Sequence, residues 1–393
     1  MTRKIWSWAL LGSLGWALVY ADRAVFGPLL APIGRAYHVG PAALGLLGTA
    51  FYLSYTLLQV PSGVAADRWR PRTTLTLSFM GFGLAVGLGG LSPSFAVLVG
   101  LTFAAGVFQS IYYPAQYAVT ARTVPRVRRD TVNAVINGGM GVGMAFGAAV
   151  GAIPLFAREW PLLLGVAGAV TVGVGILFWR RAPAEVPVAP RDGEGRIPLG
   201  RNLILLSVMN FGSLFGFFFY LTWFPYYLET TAHITGGLLA ALSALAPLMG
   251  APAGILWTRL LGERRLSGIR VFLPLAALTF VAMPLIRIPL LLFVPLFVYG
   301  LVGKLPTDPL ILGEASSRLD PTSLGAGLGV LNFSGMLASV VAPAVSGVLA
   351  ERFSDLGLAF DLSAALLMVS FGAAWALGAN HPAPSGQTST RLS

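Results

Sequence analysis

Cysteine is absent from the sequence, and charged residues and histidines are scarce. Without cysteine the 393-residue chain can form neither disulfides nor thiolate metal sites. Only 10% of its residues are charged, against about 25% in an ordinary soluble domain, whereas 56% are hydrophobic and the mean hydropathy is +0.77. The three histidines lie far apart, and no G-x-S-x-G, H-E-x-x-H or P-loop motif occurs. We therefore expect an integral membrane protein that is not an enzyme and uses no cofactor or metal.

Apolar segments long enough to cross a bilayer recur along the whole chain. A membrane-spanning helix needs about 20 predominantly apolar residues, and short polar turns separate twelve such segments. The predicted spans are 5–33, 42–64, 73–91, 94–118, 132–157, 160–179, 201–228, 236–261, 268–286, 288–312, 322–349 and 357–378. The predicted fold class is all-α, with twelve transmembrane helices.

The basic residues are unevenly distributed between alternate loops. With a cytoplasmic N-terminus, 20 of the 26 Lys and Arg residues fall in loops and tails on the cytoplasmic side. This bias follows the positive-inside rule, which sets the orientation of membrane proteins. It predicts a multi-pass protein of a bacterial-type inner (plasma) membrane with both termini cytoplasmic. The net charge of +11 then requires no nucleic-acid partner.

A polar segment rich in proline and charge divides the spans into two sets of six. Residues 180–200 are predicted to be a cytoplasmic linker between an N-terminal half, 1–179, and a C-terminal half, 201–379. The tail, 380–393, is predicted to be disordered. A faint repeat supports this division, because NGGMGVGMAFGAAVG in the fifth span resembles NFSGMLASVVAPAVSG in the eleventh. Parallel repeats of this kind place a substrate between the two halves.

Two opposite charges stand side by side in the first predicted span. Asp22 lies about 17 residues into it, or roughly 26 Å along the helix axis, which is near the midplane or slightly beyond. A charge at that depth costs several kcal/mol unless it pairs or meets water. Adjacent side chains project about 100° apart, so Asp22 and Arg23 cannot both face one partner. They indicate substrate or proton handling, or else a structural ion pair with a neighbouring helix.

A second charged pair and several polar stripes occupy other predicted spans. Lys304 and Asp308 are four residues apart, so they share one helix face and can either neutralise each other or act in function. Polar stripes on several helices together favour a shared aqueous cavity over isolated interhelical hydrogen bonds. The stripes are Tyr52, Tyr55 and Gln59; Gln109, Tyr112, Tyr113 and Gln116; Asn133 and Asn137; and Asn210, Tyr220 and Trp223.

The segment GVAADRWRPR, residues 63–72, resembles the cytoplasmic loop signature of the major facilitator superfamily. The resemblance extends over almost the whole chain and implies the major facilitator fold with two six-helix halves. It also implies a gate, in which Asp67 accepts hydrogen bonds at a helix terminus and Arg68 and Arg72 hold the inner side. Arg70 departs from the signature, which usually has glycine there.

Four further stretches resemble the anion:cation symporter family, which includes bacterial sugar-acid importers and vesicular glutamate and sialic acid transporters. They are YADRAVFGPLLAPI, FYLSYTLLQVPSG, YLTWFPYYLE and NFSGMLASVVAPAVSG. The resemblance implies that Arg23 binds an organic anion and that Asp22 takes part in proton coupling. Relatives tend to carry an arginine and a glutamate where this chain has Thr102 and Gln109. That departure leaves Asp22, with Asp308, for protonation, and Lys304 as a second contact to the anion.

We therefore expect a monomeric secondary transporter that imports a small organic anion, a sugar acid or another carboxylate, by proton symport and alternating access. Its partners are this anion, protons and membrane lipid. Proton-driven efflux of amphiphilic compounds and a non-transporting membrane sensor or scaffold stay open as alternatives. The candidate substrate contacts are Arg23, Lys304, Gln109, Tyr112, Tyr113, Gln116, Tyr55, Asn137, Tyr220, Trp223 and Asn332. The proton-coupling candidates are Asp22 and Asp308, and the gate candidates are Asp67, Arg68 and Arg72.

Overall fold

The structure is a computed structural model that describes residues 3–183, 200–319 and 324–378. Within these ranges every regular element is helical. The α-helices are α1 (Arg3–Tyr37), α2 (Pro41–Leu57), α3 (Gln59–Arg68), α4 (Pro71–Gly89), α5 (Phe95–Gln109), α6 (Tyr112–Thr123), α7 (Arg126–Gly151), α8 (Pro154–Arg158), α9 (Trp160–Arg181), α10 (Arg201–Thr230), α11 (Gly236–Leu261), α12 (Arg265–Ala282), α13 (Phe293–Val302), α14 (Lys304–Arg318), α15 (Leu324–Phe353) and α16 (Gly357–Gly378). Most of the predicted linker and the predicted tail lie outside the described residues.

Most of the predicted spans are present as long apolar helices. Among the described residues ten helical stretches are long and apolar enough to cross a membrane, and an eleventh is formed by α2 with α3, which bend by 48°. The predicted span 73–91 corresponds to α4, a 19-residue helix that is not among these eleven. The fourth predicted span is divided between α5 and α6, and the tenth between α13 and α14. The predicted all-α membrane fold is confirmed.

Glycines allow α1 and α7 to approach each other closely. A Cβ atom at Gly139, Gly143 or Gly147 would collide with backbone atoms of α1 one turn apart, at Ser13, Ala17 and Ala21 respectively. Small residues four apart permit this backbone contact between membrane helices. The packing fixes the position of α1, and with it the depth at which its two charges lie.

The two halves are joined at one end of the bundle, which we call the closed end. Arg35 Nη1 lies 2.8 Å from Glu229 Oε1 across the interface between halves. The Ala42 backbone N–H donates to Glu351 Oε2 over 2.9 Å, which places a carboxylate at the N-terminus of α2, where the helix dipole favours negative charge. Further into the bundle, Thr49 Oγ1 donates to the Val340 carbonyl over 3.1 Å. The closed end therefore combines ionic, capping and backbone contacts.

Candidate functional site

Arg23 is buried in the middle of α1, with only 9% of its surface exposed. Its Nη2 donates a hydrogen bond to Oε1 of Gln109 on α5. Four aromatic rings surround the guanidinium, with its Cζ 4.8–5.6 Å from their centroids. Among the described residues no carboxylate pairs with Arg23. A guanidinium stays charged at any relevant pH, so this site holds a positive charge with neutral neighbours. The four rings are those of Tyr20, Phe51, Tyr52 and Tyr55.

Two buried donors, one in this guanidinium and one next to it, have no acceptor within the described part of the chain. They are Nε of Arg23 and Nε2 of Gln109. Arginine can only donate, so the carbonyl oxygen of Gln109 faces it and the amide nitrogen points elsewhere. Leaving a buried donor unsatisfied costs about 1–3 kcal/mol, and more for a charged group. A ligand with a negative charge and acceptor oxygens would accept hydrogen bonds from both donors and pair with the charge of the guanidinium.

Asp22 faces a different direction from its neighbour, as the helical geometry predicts. It is 5% exposed, and its Oδ2 accepts a hydrogen bond from Thr171 Oγ1 of α9 over 2.8 Å. Neither Asp22 nor Arg23 forms an ion pair with any side chain among the described residues. Because its partner is a neutral hydroxyl, Asp22 can gain or lose a proton without breaking a salt bridge.

Lys304 and Asp308 form an ion pair, which is one of the two possibilities that their spacing left open. Nζ of Lys304 lies 2.6 Å from Oδ2 of Asp308 and 5.4 Å from the ring centroid of Phe217. The pair occupies the first turn of α14, directly after the helix break at Gly303. Lys304 is within electrostatic range of Tyr20 and Arg23 of the other half. The structure thus brings the two charged groups predicted from sequence to facing sides of one interface.

Some predicted polar residues lie near this interface and others do not. Tyr55 belongs to the ring cluster around Arg23. Tyr113 is 38% exposed, and its ring is tilted against that of Tyr117 with the centroids 4.9 Å apart. The Tyr117 hydroxyl is 3.0 Å from the Asn137 amide nitrogen. Asn332 is exposed on α15.

Four other candidates are buried inside their own halves, where their polar atoms are already bonded. Tyr112 donates to the Gly12 carbonyl over 2.7 Å, and Gln116 accepts from Trp16 Nε1 over 3.4 Å. Tyr220 donates to the Ser243 carbonyl over 2.9 Å. Trp223 donates to the Pro343 carbonyl over 3.1 Å. These side chains join helices, and the structure does not bring them to Arg23.

The gate candidates lie at the end of the bundle opposite the closed end. The Asp67 side chain is outside the described residues, so its part in a gate stays a prediction. Arg68 is exposed at the end of α3. Arg72 lies in the first turn of α4, with its Cζ 5.8 Å from the ring centroid of Trp179.

Three residues at the site were missing from the sequence prediction. Tyr20 lies three residues before Arg23, so helical spacing alone indicates that they are neighbours. Phe51 lies four residues before Tyr55 and shares its face of α2, which is a similar signal. Thr171 comes from α9, in a segment with no other polar residue nearby, and only the packing of α9 against α1 reveals its role.

Comparison with known proteins assigns the family. Residues 12–343 match the model of the Major Facilitator Superfamily, so the chain belongs to this superfamily. It is 25% identical over 387 residues to the D-galactonate transporter of Escherichia coli, covering 86% of this chain and 87% of that protein. It is 23% identical to the chloroplastic ascorbate transporter of Arabidopsis thaliana, covering 89% of this chain and 70% of that protein.

A solved structure confirms the major facilitator fold. A bacterial homologue of the human lysosomal transporter Spinster, in an inward-facing and occupied conformation, superposes with a TM-score of 0.83 at 15% identity. The alignment covers 98% of this chain and 100% of that chain. Family and fold together define a multi-pass membrane transporter rather than an enzyme.

Proposed function

We propose that this transporter imports a small organic anion, a sugar acid or another carboxylate, by proton symport. The observation that carries the proposal is the buried, unpaired guanidinium of Arg23. It lies at the interface between halves, and its own Nε and the neighbouring Nε2 of Gln109 are unsatisfied donors. A guanidinium matches the two oxygens of a carboxylate. The relatives named for galactonate and ascorbate transport support an organic acid as the substrate.

Proton coupling is assigned to Asp22. A carboxyl group removed from water favours its neutral form unless a cation is near, and the hydrogen-bond partner of Asp22 is the neutral Thr171. Asp308 is a weaker candidate, because its carboxylate already has an ion-pair partner in Lys304. The Lys304 ammonium has three donors, so it can contact the anion while it stays paired with Asp308.

Transport would proceed by alternating access, with the halves 1–179 and 201–379 moving about the site between them. The contacts at the closed end, including the Arg35–Glu229 pair, would have to separate when that end opens. Asp67, Arg68 and Arg72 would then hold the opposite end shut. In this scheme the protein works as a monomer, because one chain supplies both halves and the whole site.

We further propose that the closed end faces the outside of a bacterial-type inner membrane and that both termini are cytoplasmic. The chain has no native cysteine, so single cysteines can report each side. Pro93, exposed in the loop before α5, and Pro125, exposed before α7, lie at opposite ends. Pro93→Cys is expected to react with an impermeant maleimide on intact cells, and Pro125→Cys only after permeabilisation. The reverse labelling pattern would contradict this orientation.

A ligand screen on the purified protein tests the proposed function. Sugar acids and simple carboxylates are expected to raise the unfolding temperature, whereas the matching sugar alcohols and primary alcohols are not. A ligand at 100 times its Kd stabilises the folded state by about 2.7 kcal/mol. Carboxylates that bind should then accumulate in proteoliposomes under an inward proton gradient. Stabilisation by amphiphilic compounds with outward flux would favour the efflux alternative, and binding with no flux would favour a sensor or scaffold.

A further inference from the structure

A small cavity opens beside Arg23 and Asp22 and extends through the N-terminal half toward the closed end. Its volume is ≈ 50 Å³, and it lies between α1, α2, α4 and α5, with Thr222 of α10 contributing from the C-terminal half. Only five of its eighteen lining residues are polar. The remainder of the wall is hydrocarbon, aromatic ring or glycine, with Leu30, Phe82 and Leu98 among its members. The polar members are Asp22, Arg23, Tyr52, Thr102 and Thr222.

Three polar atoms of this wall are already bonded elsewhere, and thirteen of the eighteen lining residues are apolar or glycine. The Thr102 hydroxyl donates to carbonyls of its own helix, at Leu98 over 3.1 Å and at Val99 over 2.8 Å. Asp22 accepts from Thr171, and Arg23 donates to Gln109. A hydroxyl group entering this space would exchange water for few hydrogen-bond partners, which is unfavourable. A hydrocarbon group would lose nothing and would gain contact with the walls.

The dimensions of the cavity limit what can enter. One water-sized group needs about 10–15 Å³ of such volume, so ≈ 50 Å³ accommodates roughly three to five non-hydrogen atoms. Arg23 lies at one side of the cavity, in contact with the lining rings Phe51 and Tyr52. An anion on the guanidinium would therefore have its adjoining carbon chain at the mouth of this space.

We propose that this cavity is a subsite for the hydrocarbon branch of the substrate. The preferred substrate is then an amphiphilic monocarboxylate with an apolar branch of roughly three to five atoms, rather than a fully hydroxylated sugar acid. This inference rests on the proposed anion site at Arg23, because the carboxylate bound there directs the branch into the cavity. Ala85 and Ala105 line the cavity on α4 and α5, so they set its depth and the branch length that fits.

The test compares ligands of equal length and variants of equal size. Affinities of straight-chain carboxylates from acetate to octanoate, of D-gluconate and of hexanol are measured by thermal stabilisation of the purified full-length protein. Hexanoate and gluconate both have a carboxylate on a six-carbon chain, so they differ only in the hydroxyl groups that gluconate carries. We expect affinity to rise about fourfold per methylene up to pentanoate or hexanoate, which converts from ~0.8 kcal/mol per buried methylene. Hexanoate should bind at least tenfold more tightly than gluconate.

Filling the cavity should remove this gain and leave the anion site intact. Ala105→Leu is expected to weaken hexanoate binding at least tenfold while changing acetate binding less than twofold. Ala85→Leu fills the space from a different helix, α4, so it gives an independent result if the first variant does not fold. Ala96→Leu is the matched control, because Ala96 is exposed on the same helix, α5, and hexanoate affinity should not change.

Three outcomes would overturn the proposal. The first is that gluconate binds the wild type as tightly as hexanoate or more tightly, and the second is that the length dependence persists in either filled variant. If hexanol binds as tightly as hexanoate, the cavity accepts apolar molecules independently of the anion site. In the first of these cases, if Arg23→Gln still weakens gluconate and acetate alike, the proposed anion transport stands and only the subsite is wrong. If no carboxylate binds and Arg23→Gln changes nothing, the proposed function fails as well.

Discussion

Arg23→Gln is expected to weaken carboxylate binding by at least tenfold. The change removes a charged donor set at the centre of the site, and a hydrogen bond to a charged group contributes about 1.5–3 kcal/mol, or roughly 10- to 150-fold in affinity. The measurement is the affinity of the best ligand from the carboxylate screen. Because the guanidinium is buried without a carboxylate partner, we expect the ligand-free variant to be at least as stable as the wild type, which separates a binding defect from misfolding.

Two controls sharpen this result. Arg23→Lys keeps the charge but lacks the planar pair of donors that matches a carboxylate, so an intermediate affinity is expected. Lys304→Gln removes the cation of the other half and should have a smaller effect, because Lys304 is already paired with Asp308. Unchanged carboxylate affinity in Arg23→Gln would show that the anion binds elsewhere and that Arg23 has a structural role.

The fourth predicted span shows where helical periodicity succeeds and where it fails. Gln109 was predicted to share one stripe with Tyr112 and Gln116. In the structure α5 ends at Gln109 and α6 begins at Tyr112, but Ser110 and Ile111 between them keep right-handed helical dihedral angles, so the span Phe95–Thr123 continues in one direction. All three side chains therefore face α1, where Gln109 contacts Arg23, Tyr112 contacts Gly12 and Gln116 contacts Trp16. Spacing of three, four and seven residues thus predicts the shared face, but it does not predict whether that face lines a cavity or packs against a neighbouring helix.

Local geometry was the more reliable guide to the charged residues. The i,i+4 spacing of Lys304 and Asp308 places them on one helix face, and the structure contains their ion pair, one of the two possibilities that the spacing left open. The 100° step between adjacent residues predicts that Asp22 and Arg23 diverge, and they bind different helices. Which helix supplies each partner depends on packing between distant segments. Thr171 lies 149 residues from Asp22, and no local pattern indicates that contact.

The polar residues of the seventh predicted span illustrate a second limit. Tyr220 and Trp223 are amphipathic side chains that suit either a substrate cavity or a helix interface. Their donors reach backbone carbonyls of α11 and α15, which no side-chain pattern in the sequence encodes. Membrane helices use such bonds because a polar group in hydrocarbon must find a partner. A polar side chain in a predicted span therefore indicates a cavity only when several helices agree and no backbone acceptor is near.

Asp22→Asn is expected to retain substrate exchange and lose accumulation driven by a proton gradient. Asparagine has nearly the same shape as aspartic acid, and its carbonyl oxygen can still accept from Thr171, so the helix contact is preserved. It cannot bind or release a proton, which fixes the site in a neutral state that resembles the protonated form. Exchange between equal pools of substrate requires no net movement of protons, whereas uphill uptake requires the site to return empty and deprotonated.

The measurement is transport of an identified carboxylate in proteoliposomes, with counterflow and gradient-driven uptake compared in the same preparations. In the variant, counterflow should stay within a few fold of the wild type while proton-driven accumulation falls to the level seen without a gradient. Thr171→Val is the control for position, because it removes the hydrogen bond but keeps the titratable carboxyl, and it should retain accumulation. Asp308→Asn tests the second carboxylate in the same way. If Asp22→Asn accumulates substrate fully and Asp308→Asn does not, the coupling residue lies in the C-terminal half. If both variants accumulate substrate, the coupling ion is not the proton.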